Sequence, residues 1–179
     1  YKQRYLVRVG ANLFPFVQFN QNGDDAFADR TRKPWRDYHA DWFYNEQTAK
    51  LADPPQGKSF DKECASCHYS GYTLTKNAKG DYIGGAANDR NGELDIDGDG
   101  KPNELNLGCE TCHGPGSVHD KAKEIDMPST IVSPNKLSAE RADVLCGQCH
   151  SRPQGFLNND QPVNKDNRMM LPGNSRNKF

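Results

Sequence analysis

Cys109-Glu110-Thr111-Cys112-His113-Gly114-Pro115-Gly116-Ser117-Val118-His119 is the stretch from which this chain is best read. Its first five positions recur twice, as Cys64-Ala65-Ser66-Cys67-His68 and as Cys146-Gly147-Gln148-Cys149-His150. All six cysteines of the chain fall in these three pairs. Such uniform spacing argues against a disulfide framework. Pairs of the C-x-x-C type also build zinc centres and redox dithiols, but neither needs a histidine behind every second cysteine. C-x-x-C-H is the attachment sequence of c-type haem. Its spacing has a mechanical reason, because residues i, i+3 and i+4 share one helix face. Two thiols there bond the two vinyl groups of one haem edge while the imidazole rises to the iron. The three motifs predict three haems, with His68, His113 and His150 as proximal ligands.

Composition agrees with cofactors at the centre. Of the 179 residues 34% are hydrophobic, and the mean hydropathy is −0.95. An ordinary globular domain carries ~45–50% apolar residues. A buried aromatic side chain covers ~150–250 Å², and a porphyrin is several times larger. The sequence therefore predicts a haem-filled core wrapped by mostly irregular chain, with short α-helices at the motifs and a small N-terminal β-hairpin. No apolar run approaches the ~20 residues of a membrane-spanning helix. The formal charge of −1 points to neither nucleic acid nor an acidic membrane as partner, and haem propionates would add acidity. The sequence opens at Tyr1 without an initiator Met, as a mature or trimmed product does. Haem attachment of this type takes place outside the cytoplasm, which implies a periplasmic, cell-surface or extracellular address.

The chain has five histidines, so three proximal ligands leave His39 and His119 to serve three distal positions. One iron lacks a histidine. Gly114-Pro115-Gly116 must break a helix, and Ser117 with Asp120 resembles a capping box opening another. His113 and His119, separated by that turn, can serve different haems; the plainer alternative for His119 is an exposed loop histidine. His39 lies among Trp35, Tyr38, Trp42 and Phe43 at helical spacing. That face is either an aromatic core holding a satisfied histidine or the lining of a haem with His39 as ligand. Met127, Met169 and Met170 are candidates for the unmatched iron, or gap-filling core. The third motif sits on a legible helix, with Ser138 as N-cap and Ala142, Leu145, Cys146 and Cys149 following at helical spacing.

The quoted stretch resembles the C-x-x-C-H-G-P-G-S-x-H signature of multihaem cytochromes related to the tetrahaem cytochrome that accepts electrons from hydroxylamine oxidation. Cys146-Gly147-Gln148-Cys149-His150-Ser151-Arg152 resembles the following haem site of that group. The likeness covers roughly residues 60–155. It implies closely packed haem pairs, mostly His/His coordination, extracytoplasmic electron transfer, and His119 as distal ligand to a haem other than its own. Lys2-Gln3-Arg4-Tyr5-Leu6 resembles a segment behind an earlier haem motif in larger members, which implies a fragment or a shortened relative. Some relatives polymerise into extracellular filaments in which one subunit supplies an axial histidine to the next.

Outside the motifs, residues 5–9 and 13–19 read as strands around Gly10-Ala11-Asn12, and Ala52–Gly57 as a Pro-rich linker. Residues 84–104 read as a loop. Within it, Asp95, Asp97, Asp99 and Lys101 fall at alternate positions around Gly100, as in a calcium loop. Asn106 replaces the usual twelfth-position carboxylate, and Glu104 is the available substitute; a solvated acidic turn is the alternative. The expected organisation is a single domain over 1–179: an N-terminal hairpin and aromatic helix in 1–50, a haem-binding region in 60–150, and an extended tail in 151–179. That tail is a candidate arm along a neighbouring subunit. These features predict an electron carrier whose partners are other redox proteins or copies of itself in a head-to-tail polymer. The rival is a haem enzyme reducing a small nitrogen or sulfur oxyanion at a five-coordinate iron.

Overall fold

The computed structural model describes residues 2–21, 34–150, 163–166 and 168–178. Contacts divide the chain into two units, Tyr1–Asp61 and Lys62–Phe179, where the sequence suggested one domain.

The first unit is built on the expected hairpin. Strands β1 (Lys2–Val9) and β2 (Asn12–Asn20) pair antiparallel around Gly10, whose φ of 61° suits a residue without Cβ. The register slips between Tyr5 and Leu6, so Phe16 is left opposite no partner, a β-bulge. A third strand, β3 (Trp35–Asp37), adds to β2. Phe14 is fully buried and meets Phe43 edge-on at 6.4 Å. Trp35 packs between Tyr5 at 5.5 Å and Phe19 at 4.9 Å. Two-residue strands β4 (Tyr44–Asn45) and β5 (Lys50–Leu51) form a small ribbon. The helix α1 (Phe60–Glu63) lies at the division, and its Asp61 carboxylate accepts the Leu13 N–H at 2.8 Å.

The aromatic helix expected over Trp35–Phe43 is not formed. Trp35, Arg36 and Asp37 are strand, Tyr38 N–H continues the ladder to Phe16 O at 3.1 Å, and only Ala40–Trp42 turn, as a 3-10 segment. His39 stands in the left-handed region at φ 79°, which no α-helix accommodates, while the Asp37 carboxylate takes the Ala40 N–H at 2.7 Å. Pairing with β2 outweighs the helical spacing.

In the second unit, β6 (Thr73–Lys76) and β7 (Tyr82–Gly85) form a hairpin whose turn is organised by Asn77, its side-chain oxygen accepting Lys79 N–H and Asp81 N–H at 2.9 Å each. Tyr69, Tyr72, Leu74, Ile83, Ile96, Leu145, Val163 and Met170 are buried here. Two further helices carry attachment motifs: α2 (Glu110–His113), and α3 (Ala139–His150), which starts directly after Ser138 as expected. The new helix expected after Ser117 is instead a run of turns, Asp120 N–H bonding Gly116 O at 2.9 Å and Ala122 N–H bonding His119 O at 3.2 Å.

The tail reading lies outside the described residues for 151–162. Residues 163–166 and 168–178 make contacts within this unit. Val163 is fully buried, Thr73 bridges to Arg168, and the Arg176 N–H donates to the Glu140 carboxylate at 2.6 Å.

Candidate haem-attachment site

All three C-x-x-C-H motifs belong to the second unit. The first follows α1 through a 3-10 turn, Ala65–Cys67, with His68 exposed at its end. The second is α2 with Cys109 just before it. The third ends α3. Only the third lies on a helix of more than one turn, so the i, i+3, i+4 face is continuous there and local in the others.

The motifs converge. No disulfide joins any of the six cysteines, and Cys109, Cys112 and Cys146 are exposed. Cys149 lies against Cys67 of the first motif, with Cys112 and Cys146 close enough to act on it. Sharing a hydrogen bond with Cys67 pushes its thiol well above the usual range, and burial adds to that. The intervening residues Ser66, Glu110, Thr111 and Gln148 face a cavity of about 410 Å³, which Tyr69, Tyr72, Met169 and Met170 also line. On α3, at ~100° per residue, Gln148 lies across the helix from Cys146 and His150.

His113 is held at both ends by one residue. Its Nδ1 lies 2.8 Å from Val132 O, and its own carbonyl accepts the Val132 N–H at 3.0 Å. A carbonyl can only accept, so Nδ1 carries the proton and the Nε2 lone pair is left for a metal. His119 repeats the arrangement, its Nδ1 lying 3.1 Å from Met127 O and 3.2 Å from Thr130 Oγ1. Hydrogen bonds of this kind fix the tautomer and aim the ring of a metal-bound histidine. Three thiol pairs outside any disulfide and two imidazoles with Nε2 available are a donor set that fits covalent haem. Between the two histidines, buried Gly114 adopts φ 79° and ψ 175°, a region essentially reserved for glycine.

His39 belongs to the first unit. Its ring stacks on Trp42 at 3.8 Å and 5°, and Nδ1 lies 4.0 Å from the Asp41 carboxylate.

The acidic loop gathers Asp95, Asp97 and Asp99, with a ligand oxygen of each within 4.8 Å of the others. Asp95 organises the turn, accepting Gly98 N–H at 2.8 Å and Gly100 N–H at 3.0 Å. Glu104 is not part of this group. Its carboxylate lies against the Gly108 backbone, where a Cβ would collide with it. The reason is Asn103, which spacing alone does not single out. It is fully buried, with its side chain accepting Ile96 N–H at 2.6 Å and donating to Ala86 O at 3.0 Å. That latch sends the next side chain away from the loop. Ser70, also unforeseen, links the first two motifs through hydrogen bonds of its hydroxyl.

Over 119 residues the chain is 30% identical to cytochrome c-554 of Nitrosomonas europaea, covering 62% of this chain and 43% of that protein. The chain thus spans less than half of that relative's length. No family model matches the chain. No solved structure matches it. The likeness supports a multihaem c-type cytochrome, in agreement with the motifs.

Proposed function

We propose that this chain carries three covalently attached c-type haems and relays single electrons through them outside the cytoplasm. The observation that carries this is the convergence of three C-x-x-C-H motifs in one unit, with His113 and His119 both held through Nδ1 by carbonyl oxygens. Cys64 and Cys67, Cys109 and Cys112, and Cys146 and Cys149 hold the three groups. His68, His113 and His150 bind iron from the motif side, and His119 and His39 supply distal ligands. The bound group supplies an iron that changes oxidation state by one electron. The polypeptide sets how readily it does so, through ligand identity, burial and the carbonyls behind each imidazole. Denaturing mass spectrometry tests the proposal: three retained haem masses are expected, and a bare polypeptide mass would sink it.

The histidine shortage leaves one iron to methionine or to an open position. Met169 and Met170, which line one cavity with Ser66 and Gln148 of the first and third motifs, are with Met127 the candidates for that position. Low-spin ferric signals throughout are expected in electron paramagnetic resonance. A persistent high-spin, ligand-accessible signal would favour an enzyme reducing a small nitrogen or sulfur oxyanion.

In a head-to-tail polymer, a contact between unlike surfaces runs on into a filament unless it closes, and a histidine ligated across the boundary would join successive haem sets. Filaments of native protein under the electron microscope are the expected result, and a strictly monomeric holoprotein would refute it. Asp95, Asp97 and Asp99, with Lys101 at the next alternate position, would hold one Ca²⁺ at ~2.3–2.6 Å. Replacing Asp97 and Asp99 together by Ala should remove the metal from elemental analysis.

A further inference from the structure

Ser70 lies two residues beyond His68 and is fully buried. Its hydroxyl donates to Asn106 O at 3.2 Å, accepts the Gly108 N–H at 2.6 Å and meets Thr111 Oγ1 at 2.9 Å. One donor and two acceptors are the whole capacity of a serine hydroxyl, so the Glu104 carboxylate, which also bonds it, shares its proton with Asn106 O; Asn106, Gly108 and Thr111 all lie at the second attachment motif. Its backbone reaches the same place. Ser70 N–H bonds Asn106 O at 3.0 Å, Ala87 N–H bonds Ser70 O at 2.9 Å, and Tyr69 bridges to Asn106. Asn106 stands in the left-handed region at φ 75°, which asparagine tolerates better than most residues. There its carbonyl receives both Ser70 donors. Gly108 completes the junction, because a Cβ there would meet the Glu104 carboxylate and approach Ser70 Oγ to 3.3 Å.

A buried hydroxyl with every lone pair and its proton engaged is costly to disturb. Thr111 stands between Cys109 and Cys112, and Gly108 immediately precedes Cys109. Ser70 therefore grips the backbone entering the second motif and a side chain inside it, from a position two residues past the first motif's histidine.

We propose that Ser70 is a positioning residue that fixes the second attachment motif against the first, and so sets the spacing and angle between the haems they carry. This rests on the haem-relay reading above. Two haems at fixed short separation couple optically, giving a split circular-dichroism signal in the Soret band, and each shifts the other's potential. A serine that merely fills space would leave both readouts alone.

The test uses the mature holoprotein, Ser70→Ala and Thr111→Val. Haem content by denaturing mass spectrometry is read first, then Soret circular dichroism and potentiometric titration. Ser70→Ala should keep three haems, lose amplitude in the split signal and shift the potentials of two haems. Thr111→Val removes one of the hydroxyl's partners and leaves the others, and should move both readouts less, in the same direction. A Ser70→Ala protein with three haems, a lower melting temperature and unchanged split signal and potentials would overturn the proposal. Should Ser70→Ala fail to fold, Thr111→Val decides: altered dichroism at full haem content supports positioning, and unaltered dichroism refutes it. A wild-type protein without haem would overturn this inference together with the relay, and the first measurement reveals that separately.

Discussion

Thr130 and Met127 both stand behind the imidazole of His119, one through a hydroxyl and one through a carbonyl. Acceptors on Nδ1 raise the basicity of the ligand nitrogen and favour the ferric state. Thr130→Val removes one acceptor and leaves the other. Spectroelectrochemistry should show one haem potential moving upward by less than about 59 mV, the tenfold mark of a one-electron couple. Glu104 carries a different signal. Burial raises its carboxyl above the ordinary range, Glu110 and Asp89 push the same way, and the Ser70 hydroxyl opposes them. A carboxyl raised on folding favours the protonated native state, so its contribution is present at acid pH and lost as pH climbs through the raised value. Glu104→Gln stays neutral throughout. Melting curves from about pH 4 to about pH 8 should show the variant gaining on the wild type as pH rises; parallel profiles would mean that Glu104 does not titrate there.

Elements in this chain are short, and single residues decide where they stop. α2 ends at Gly114, whose φ of 79° and ψ of 175° turn the chain toward His119. Gly114→Ala forces a Cβ into that region at a cost of ~1–3 kcal/mol. A lower melting temperature and a new high-spin component in electron paramagnetic resonance are expected, because His119 loses its approach. The acidic loop depends similarly on Asn103. Asn103→Ala strips the buried Ile96 N–H of its acceptor, a penalty of ~1–3 kcal/mol. Limited proteolysis should then cut within 94–103 faster than in the wild type. Uncut loops at equal protease exposure would show that Asn103 is not the latch.

At the scale of the molecule, the apolar content of 34% stands below the ~45–50% of ordinary domains. Haem is proposed to supply the missing buried surface. Protein made without haem attachment should therefore melt over a broad range by circular dichroism, while the holoprotein melts cooperatively. Equal cooperativity in both forms would mean that side chains alone suffice.

Several features are fixed by local chemistry and are legible in the order of residues. The C-x-x-C-H spacing is one, since two thiols must meet the vinyl edge of one porphyrin while the imidazole reaches its iron. The Gly10 hairpin, the helix after Ser138 and the Asp95–Asp99 cluster are others, because turn geometry, capping and alternation act over a few positions. Tertiary pairing decided the rest. The aromatic spacing at Trp35–Phe43 became strand and turn because β2 offered a ladder. Glu104 left the acidic loop because Asn103 found partners in the interior. Ser70, unremarkable among its neighbours, joins two motifs through hydrogen bonds that span 36 to 41 residues. No local pattern encodes such bonds, because their partners exist only once distant segments have packed.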